Sequence, residues 1–425
     1  MNLLEHEGHK LKPIKLEIFR SMNVIIVNAF GRSNRGDSVL LDECISEIRE
    51  VHPDAVIGIS LFDNNNTDPI DEKIIRLERI GNSGVTNKYL SSIHKLYLIL
   101  ISVLYSLTKF DLILRAIPQK QKNTLLFMRS ADLSISSPGG YIHDTNFAYL
   151  IALINIIIPI NLGVKSILAP QSIGPLRSSL SRLVTRSVLN RCSTVCARER
   201  YTLEFLDKLK INKSIVQSCG DTAFWNNHVD FSNTDRFRNE LDIGERNFIG
   251  LTVVNWTFPN TRHPETKRSE YINAISDVIK FLHDETGMKI VIFNQVTDDL
   301  TMAYAIKAKL QNPRYLVIDD TEKEPWELRA LISKCKLFIG TRFHSCIFAI
   351  MAGVPTIAIS YLPKTQYILE DLGLFDRSTP INSINSDFLK RKAMYCYQNA
   401  EQESALMREA VESYKIKFKR LADIL

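Results

Sequence analysis

The sequence predicts an α/β protein built as two doubly wound, Rossmann-like domains facing a cleft. Short runs rich in Val and Ile, such as "NVIIVNAF" (23–30) and "KIVIFNQ" (289–295), alternate with longer stretches whose apolar residues recur at helical spacing. Those short runs are apolar on nearly every residue, as parallel strands covered by helices on both faces must be. The alternation occurs in two series within 425 residues, a length too great for one core and natural for two.

In chain order, strand 23–30 is followed by the loop "GRSNRGDS", the helix "VLLDECISEIREV" and the strand "AVIGIS" (55–60). Residues 61–90 are polar and read as loop, and helical pattern fills about 92–127. "DLSISSP" (132–138) is a strand ending in "GGYIHD", then an apolar helix occupies 147–160. "KSILAP" (165–170) leads into "QSIGPL" and a helix over about 178–191, and "TVCARE" and "SIVQSCGD" close the half. The polar stretch 226–246 reads as a linker, dividing the chain into 1–230 and 231–425. The second series runs "FIGLTVV" (248–254), helix 269–286, "KIVIFNQ", helix 298–310, "RYLVID" (314–319), helix 325–334, "KLFIG", helix 344–352 and strand 354–360, before a charged helical tail at 386–425.

A net charge of +6 suits a phosphate-bearing ligand or an anionic membrane surface. No run of basic residues interleaved with aromatics occurs, so no nucleic-acid partner is expected. The seven cysteines are scattered with no CxxC pair, which argues against zinc and disulfides and for a reducing, cytoplasmic setting. The N-terminus is charged and does not read as a secretory signal. "LYLILISVLYSL" (96–107) is shorter than the about 20 residues that span a bilayer. Residues 147–164 are interrupted by Asn155, Pro159 and Asn161 and read as a buried helix. Either stretch is a candidate for peripheral contact with the inner face of a membrane.

Every unusual polar cluster follows a predicted strand, where open parallel sheets bind ligands. In "GTRFHSCIFAIMAGVP" (340–355), Arg342, His344 and Ser345 sit at the mouth of an apolar helix. A helix N-terminus favours anions, a guanidinium matches phosphate or carboxylate, and imidazole moves a proton near neutral pH. Equally, Arg342 could pair with a carboxylate and His344 could be a satisfied capping residue. "NRGD" (34–37) offers Asn34, a turn at Gly36, and Asp37 as either a helix cap or a carboxylate for a sugar hydroxyl. "SPGGYIHD" (137–144) brings Gly139 and Gly140, whose backbone can approach a ligand closely, and His143 and Asp144. Gln171 and Ser172 in "APQSIGPL" suit sugar hydroxyls, Arg198 in "ARER" a second anion contact, and "SYLPK" adds Tyr361 and Lys364. No GxxxxGK[ST] and no metal-ligand spacing occur, so neither a P-loop nor a metal is expected.

In this order, "NRGD", "PGG", "QSIGPL", "ARER", "CGD" and above all "RFHSCIFAIMAGVPTIAISYLPK" resemble the polysaccharide pyruvyl transferase family over roughly residues 22–374. The resemblance implies a fold similar to B-type glycosyltransferases, with the acceptor on the N-terminal side and phosphoenolpyruvate on the C-terminal side. It implies no cofactor beyond phosphoenolpyruvate as co-substrate, and a sugar or lipid-linked oligosaccharide as acceptor. It makes Arg342 and His344 the donor-site pair, with Arg198 a second anchor. On that reading His344, as imidazolium, protonates the donor and Asp37 deprotonates the sugar. A nucleotide-sugar glycosyltransferase or epimerase of the same architecture remains the alternative, with Glu370 or Asp371 toward a ribose. So does a non-catalytic scaffold for polysaccharide assembly.

Overall fold

The computed structural model describes residues 21–31, 35–61, 73–243, 248–259, 261–321 and 323–425. The N-terminal half runs β1 (Asn23–Ala29), α1 (Arg35–Val51), β2 (Val56–Leu61), β3 (Ile74–Leu77), α2 (Lys88–Thr108), α3 (Gln119–Ser130), β4 (Leu133–Ser136), β5 (Gly139–Ile142), α4 (Ala148–Leu162), β6 (Lys165–Ile173), α5 (Ser179–Leu189), β7 (Thr194–Ala197), α6 (Arg200–Lys208) and β8 (Val216–Ser218). Its strands form one sheet in the order β3-β2-β1-β4-β6-β7-β8, with β5 also on β6, every pair parallel. Alternation along β1 shows why both faces must be covered. Val24 and Ile26 pack with Cys44 and Ile48 of α1, whereas Ile25 and Val27 pack with Tyr105 of α2 and Met128 of α3.

After α7 (Thr234–Glu240) come β9 (Phe248–Thr252), α8 (Pro264–Thr286), β10 (Lys289–Phe293), α9 (Leu300–Lys309), β11 (Leu316–Asp319), α10 (Pro325–Ile332), β12 (Leu337–Gly340), α11 (Phe343–Met351), β13 (Thr356–Ser360), α12 (Pro363–Asp371), β14 (Ser378–Pro380), α13 (Ser386–Gln398) and α14 (Ala400–Lys417). These strands make a second parallel sheet, ordered β11-β10-β9-β12-β13-β14. The molecule is therefore α/β with two Rossmann-like sheets. One face of the second sheet carries α10, α11 and α14, and the same core takes in Val39 and Leu40 of α1 and Phe224. That shared core joins the two lobes.

Four features depart from the sequence expectation. The polar stretch 61–90 contains the four-residue strand β3, too short and too polar in its flanks to register as a period. The apolar run after it is not a 12-residue segment but the C-terminal part of the 21-residue α2, which is capped by Lys109 in the left-handed region. The linker stretch contains α7. Finally, the tail turns back to the first lobe: the Lys419 carbonyl accepts from Gly220 N at 3.2 Å, and Leu421 joins the core beneath α1. The chain thus crosses between lobes twice.

Candidate functional site

The turn between β12 and α11 is built by close packing. A Cβ on Gly340 would meet Cys346 Sγ at 2.4 Å, so only glycine lets α11 approach its strand this closely. Arg342 N donates to Thr252 Oγ1 (3.3 Å), Thr252 Oγ1 lies 2.8 Å from Ser345 Oγ, and Ser345 Oγ donates to the Arg342 carbonyl (2.7 Å). Donor accounting leaves one arrangement: the Thr252 hydroxyl gives its proton to Ser345, closing a ring that holds the turn. Ser345 is fully buried and spent on this ring, which corrects the expectation that it meets a ligand.

Arg342 is also engaged within its own lobe. Its Nε and Nη2 form a bidentate pair with Asp299, both at 2.6 Å, and its guanidinium lies 5.8 Å from the Tyr361 ring centroid. Burial works against its charge, but Asp299 and Tyr361 outweigh burial and hold it above its usual range. Of the two readings open from the sequence, the carboxylate-paired one describes Arg342 here. Tyr361 packs edge-on against Trp256 at 5.1 Å and is half-buried.

His344 is placed differently. It is 5 % exposed and its Nε2 has no hydrogen-bond partner. Burial, then Lys364 and Arg198, push its imidazole well below the ordinary histidine range. The ring is therefore neutral, not the imidazolium the sequence reading expected. Phe343 links the three groups: Arg198 Cζ lies 5.4 Å and Lys364 Nζ 5.2 Å from its centroid, and the His344 ring is 5.0 Å away. Arg198 follows β7 of the first sheet, while Phe343, His344 and Lys364 follow β12 and β13 of the second. The cluster therefore spans the lobes, at the carboxyl ends of both sheets. Next to it, Tyr201 stacks on Tyr367 at 4.6 Å, and Arg200 N donates to Asp371 across the same junction.

On the first-lobe side, Arg198 is 1 % exposed and donates to Ser172 Oγ through Nε (3.0 Å) and Nη2 (2.6 Å). Glu199 and Asp221 lie 3.5 and 3.4 Å from it. Ser172 passes its own proton to Glu199 at 2.8 Å. Gly140 faces this assembly, its virtual Cβ 3.5 Å from Arg198 Nη2, whereas Gly139 sits in the ladder opposite Gln171. Gln171 is fully buried and donates to the Ser137 carbonyl, so it braces β5 instead of reaching a sugar, a second correction. His143 is drawn below its usual range by burial and by Lys364, which puts it on the same junction. Asp144 caps the loop before α5, accepting from Arg177 N and Ser178 N. Asn34 lies outside the described residues, as does the side chain of Asp37, which occupies the first turn of α1.

The structure thus brings together His344, Lys364, Arg198, Gly140, Ser172 and His143, and adds Phe343. It takes Ser345 and Gln171 into the interior, and it pairs Arg342. Asp299 was missed. It belongs to "NQVTDD" (294–299), a polar cluster following a predicted strand, the same signal that marked the other motifs. Among the described residues no group of three or more His, Cys, Asp and Glu side chains could hold a metal ion.

Known proteins resemble this chain in sequence and in fold. The model of the family described as polysaccharide pyruvyl transferase matches residues 34–363. The amylovoran biosynthesis protein AmsJ of Erwinia amylovora is 23% identical over 421 residues, covering 95% of this chain and 99% of AmsJ. Among solved structures, Anabaena HepE in complex with UDP and glucose superposes with a TM-score of 0.59 at 12% identity, covering 94% of this chain and 96% of HepE. A UDP-N-acetylglucosamine 2-epimerase gives 0.57 at 11%, covering 92% and 91%. Sucrose-phosphate synthase of Thermosynechococcus elongatus gives 0.54 at 10%, covering 94% and 95%. These likenesses define the architecture as that of B-type glycosyltransferases and epimerases.

Proposed function

Because the chain belongs to the polysaccharide pyruvyl transferase family, we propose that it carries the pyruvyl group of phosphoenolpyruvate to a sugar of a surface polysaccharide or its lipid-linked precursor, on the cytoplasmic side. The observation that carries this reading is the unpartnered, buried Nε2 of His344, held beside Lys364 and Arg198 where the lobes meet. Two cations and a neutral imidazole suit a donor bearing both phosphate and carboxylate. Burial and the two cations keep His344 neutral; the arriving anions offset the repulsion from Lys364 and Arg198, so donor binding favours a proton on it.

His344 then gives that proton to the methylene carbon of the donor, leaving C2 as an oxocarbenium-like centre. A sugar hydroxyl bonds to C2 and loses its proton. The bond from C2 to the phosphate oxygen breaks, phosphate leaves, and a second hydroxyl closes the cyclic ketal. Of the two hydroxyl protons, one replaces that given by His344 and the other departs with phosphate. Asp37 is the proposed base and Lys364 holds the anionic groups, while Arg198, buried against Ser172, Glu199 and Asp221, adds its charge from beneath Gly140.

The rival reading, a nucleotide-sugar enzyme, asks for a free acid near the end of the second lobe. Of its two candidates, Asp371 accepts from Arg200 N and pairs with Lys417, whereas Glu370 is exposed, so the choice between the readings falls to the donor. The test is phosphate release from phosphoenolpyruvate across a panel of sugar acceptors. Turnover that falls about 10²–10⁴-fold in His344→Ala, the usual worth of acid–base assistance, supports the proposal. Turnover unchanged in that variant, or thermal stabilisation by a UDP-sugar but not by phosphoenolpyruvate, overturns it. A scaffold would release no phosphate with any acceptor.

A further inference from the structure

Helix α2 presents an apolar stripe that is widely exposed among the described residues. Tyr89, Ile93, Leu96, Leu100, Leu104 and Leu107 recur at spacings of three and four and are 49–75 % exposed. Its opposite face fastens the helix to the lobe. Leu98, Ser102, Tyr105 and Ser106 are buried, Asn161 of α4 donates to Ser106 Oγ at 3.0 Å, and Tyr105 accepts from Arg129. By length and composition α2 is able to cross a membrane, but as folded it lies flat on the lobe.

Charge around the stripe identifies the occupant. Between Tyr89 and Lys122 there are five Lys or Arg and one acid, Asp111, which is paired with Arg129 at 2.7 Å. Helix α4 packs against both α2 and α5, and Tyr149 of α4 lies 2.9 Å from Ser181 of α5. From Arg177 to Arg191, around α5, the chain has four arginines and no acid, and Leu180 and Leu183 are widely exposed. These two segments together carry a net +8, more than the +6 of the whole chain, so the rest of the protein is net negative. An apolar stripe edged by cations, with tyrosines at Tyr89 and Tyr97, matches a membrane bearing anionic headgroups. A second copy of this chain would bring two rims of the same sign together.

We propose that the α2 face, extended by α5, docks the enzyme on an anionic bilayer as a peripheral protein. α5 follows the "QSIGPL" loop at the carboxyl end of β6, so docking sets the mouth of the first lobe near the lipid surface.

The test is co-sedimentation of the full chain with phosphatidylglycerol-containing vesicles and with pure phosphatidylcholine vesicles. Binding to the former, weakened by salt, is expected. The double substitution Leu96→Glu and Leu100→Glu should reduce it about tenfold or more with an unchanged melting temperature, and Arg182→Gln with Arg186→Gln should remove most of the preference for the anionic lipid. The proposal is overturned by the absence of wild-type binding to anionic vesicles, or by binding that survives the glutamates. It is also overturned by resistance to alkaline extraction, which would mean a spanning helix, or by a solution dimer that those glutamates dissociate.

Discussion

Replacing Lys364 by Met should raise the pH at which His344 titrates. Lys364 Nζ lies 5.2 Å from the Phe343 centroid, and that ring lies 5.0 Å from the imidazole centroid, so the cation is at most about 10 Å from His344. At an effective dielectric of about 20, two like charges at that distance repel by about 1.6 kcal/mol. Only protonated His344 feels this repulsion, so removing Lys364 raises the titration midpoint. Burial, the larger cause of the depression, remains, and the midpoint stays below the ordinary value of about 6.5. Proton NMR of the imidazole Cε1–H reads the midpoint directly, and its absence in His344→Gln identifies the resonance among nine histidines. Below about pH 6.5 the unfolded chain takes up a proton at this site and the folded chain does not, so acid destabilises the wild type, and Lys364→Met should lessen that loss. A midpoint that stays put or moves down in the variant, or a wild-type His344 titrating in the ordinary range, would refute the electrostatic account of the cluster.

Asp299→Asn should cost about 3 kcal/mol in urea unfolding, the low end for breaking a buried pair because Arg342 keeps 18 % of its side chain exposed; inorganic phosphate should then stabilise the variant more than the wild type, since the guanidinium is released. Glu47, raised to about 7 mainly by burial, accepts from Ala422 N in the tail. A carboxyl raised in the folded state favours folding below its unfolded value and loses that contribution as pH rises through about 7, so Glu47→Gln should raise the melting temperature at pH 8 and leave it nearly unchanged at pH 5, as measured by calorimetry. Gly340→Ala should destabilise by about 1–3 kcal/mol, because the new methyl displaces Cys346 and with it the turn carrying His344; a variant of wild-type stability would show that α11 has room to move.

Local patterning was enough to read the two series of strands and helices, because periods of two and 3.6 residues are properties of neighbouring side chains. It also located the strand-end motifs, including His344, Lys364, Arg198 and Gly140, since parallel sheets collect their loops at one end. What it could not decide is which partner each polar group takes. Arg342 and Asp299 are 43 residues apart, Ser345 meets Thr252 across 93, and the tail reaches Gln217 across 202. Those pairings depend on strand order and lobe placement, and no local period encodes them. The same fold that locks Arg342 to a carboxylate leaves the imidazole two residues later between two cations, and only the tertiary arrangement separates the structural residue from the candidate acid.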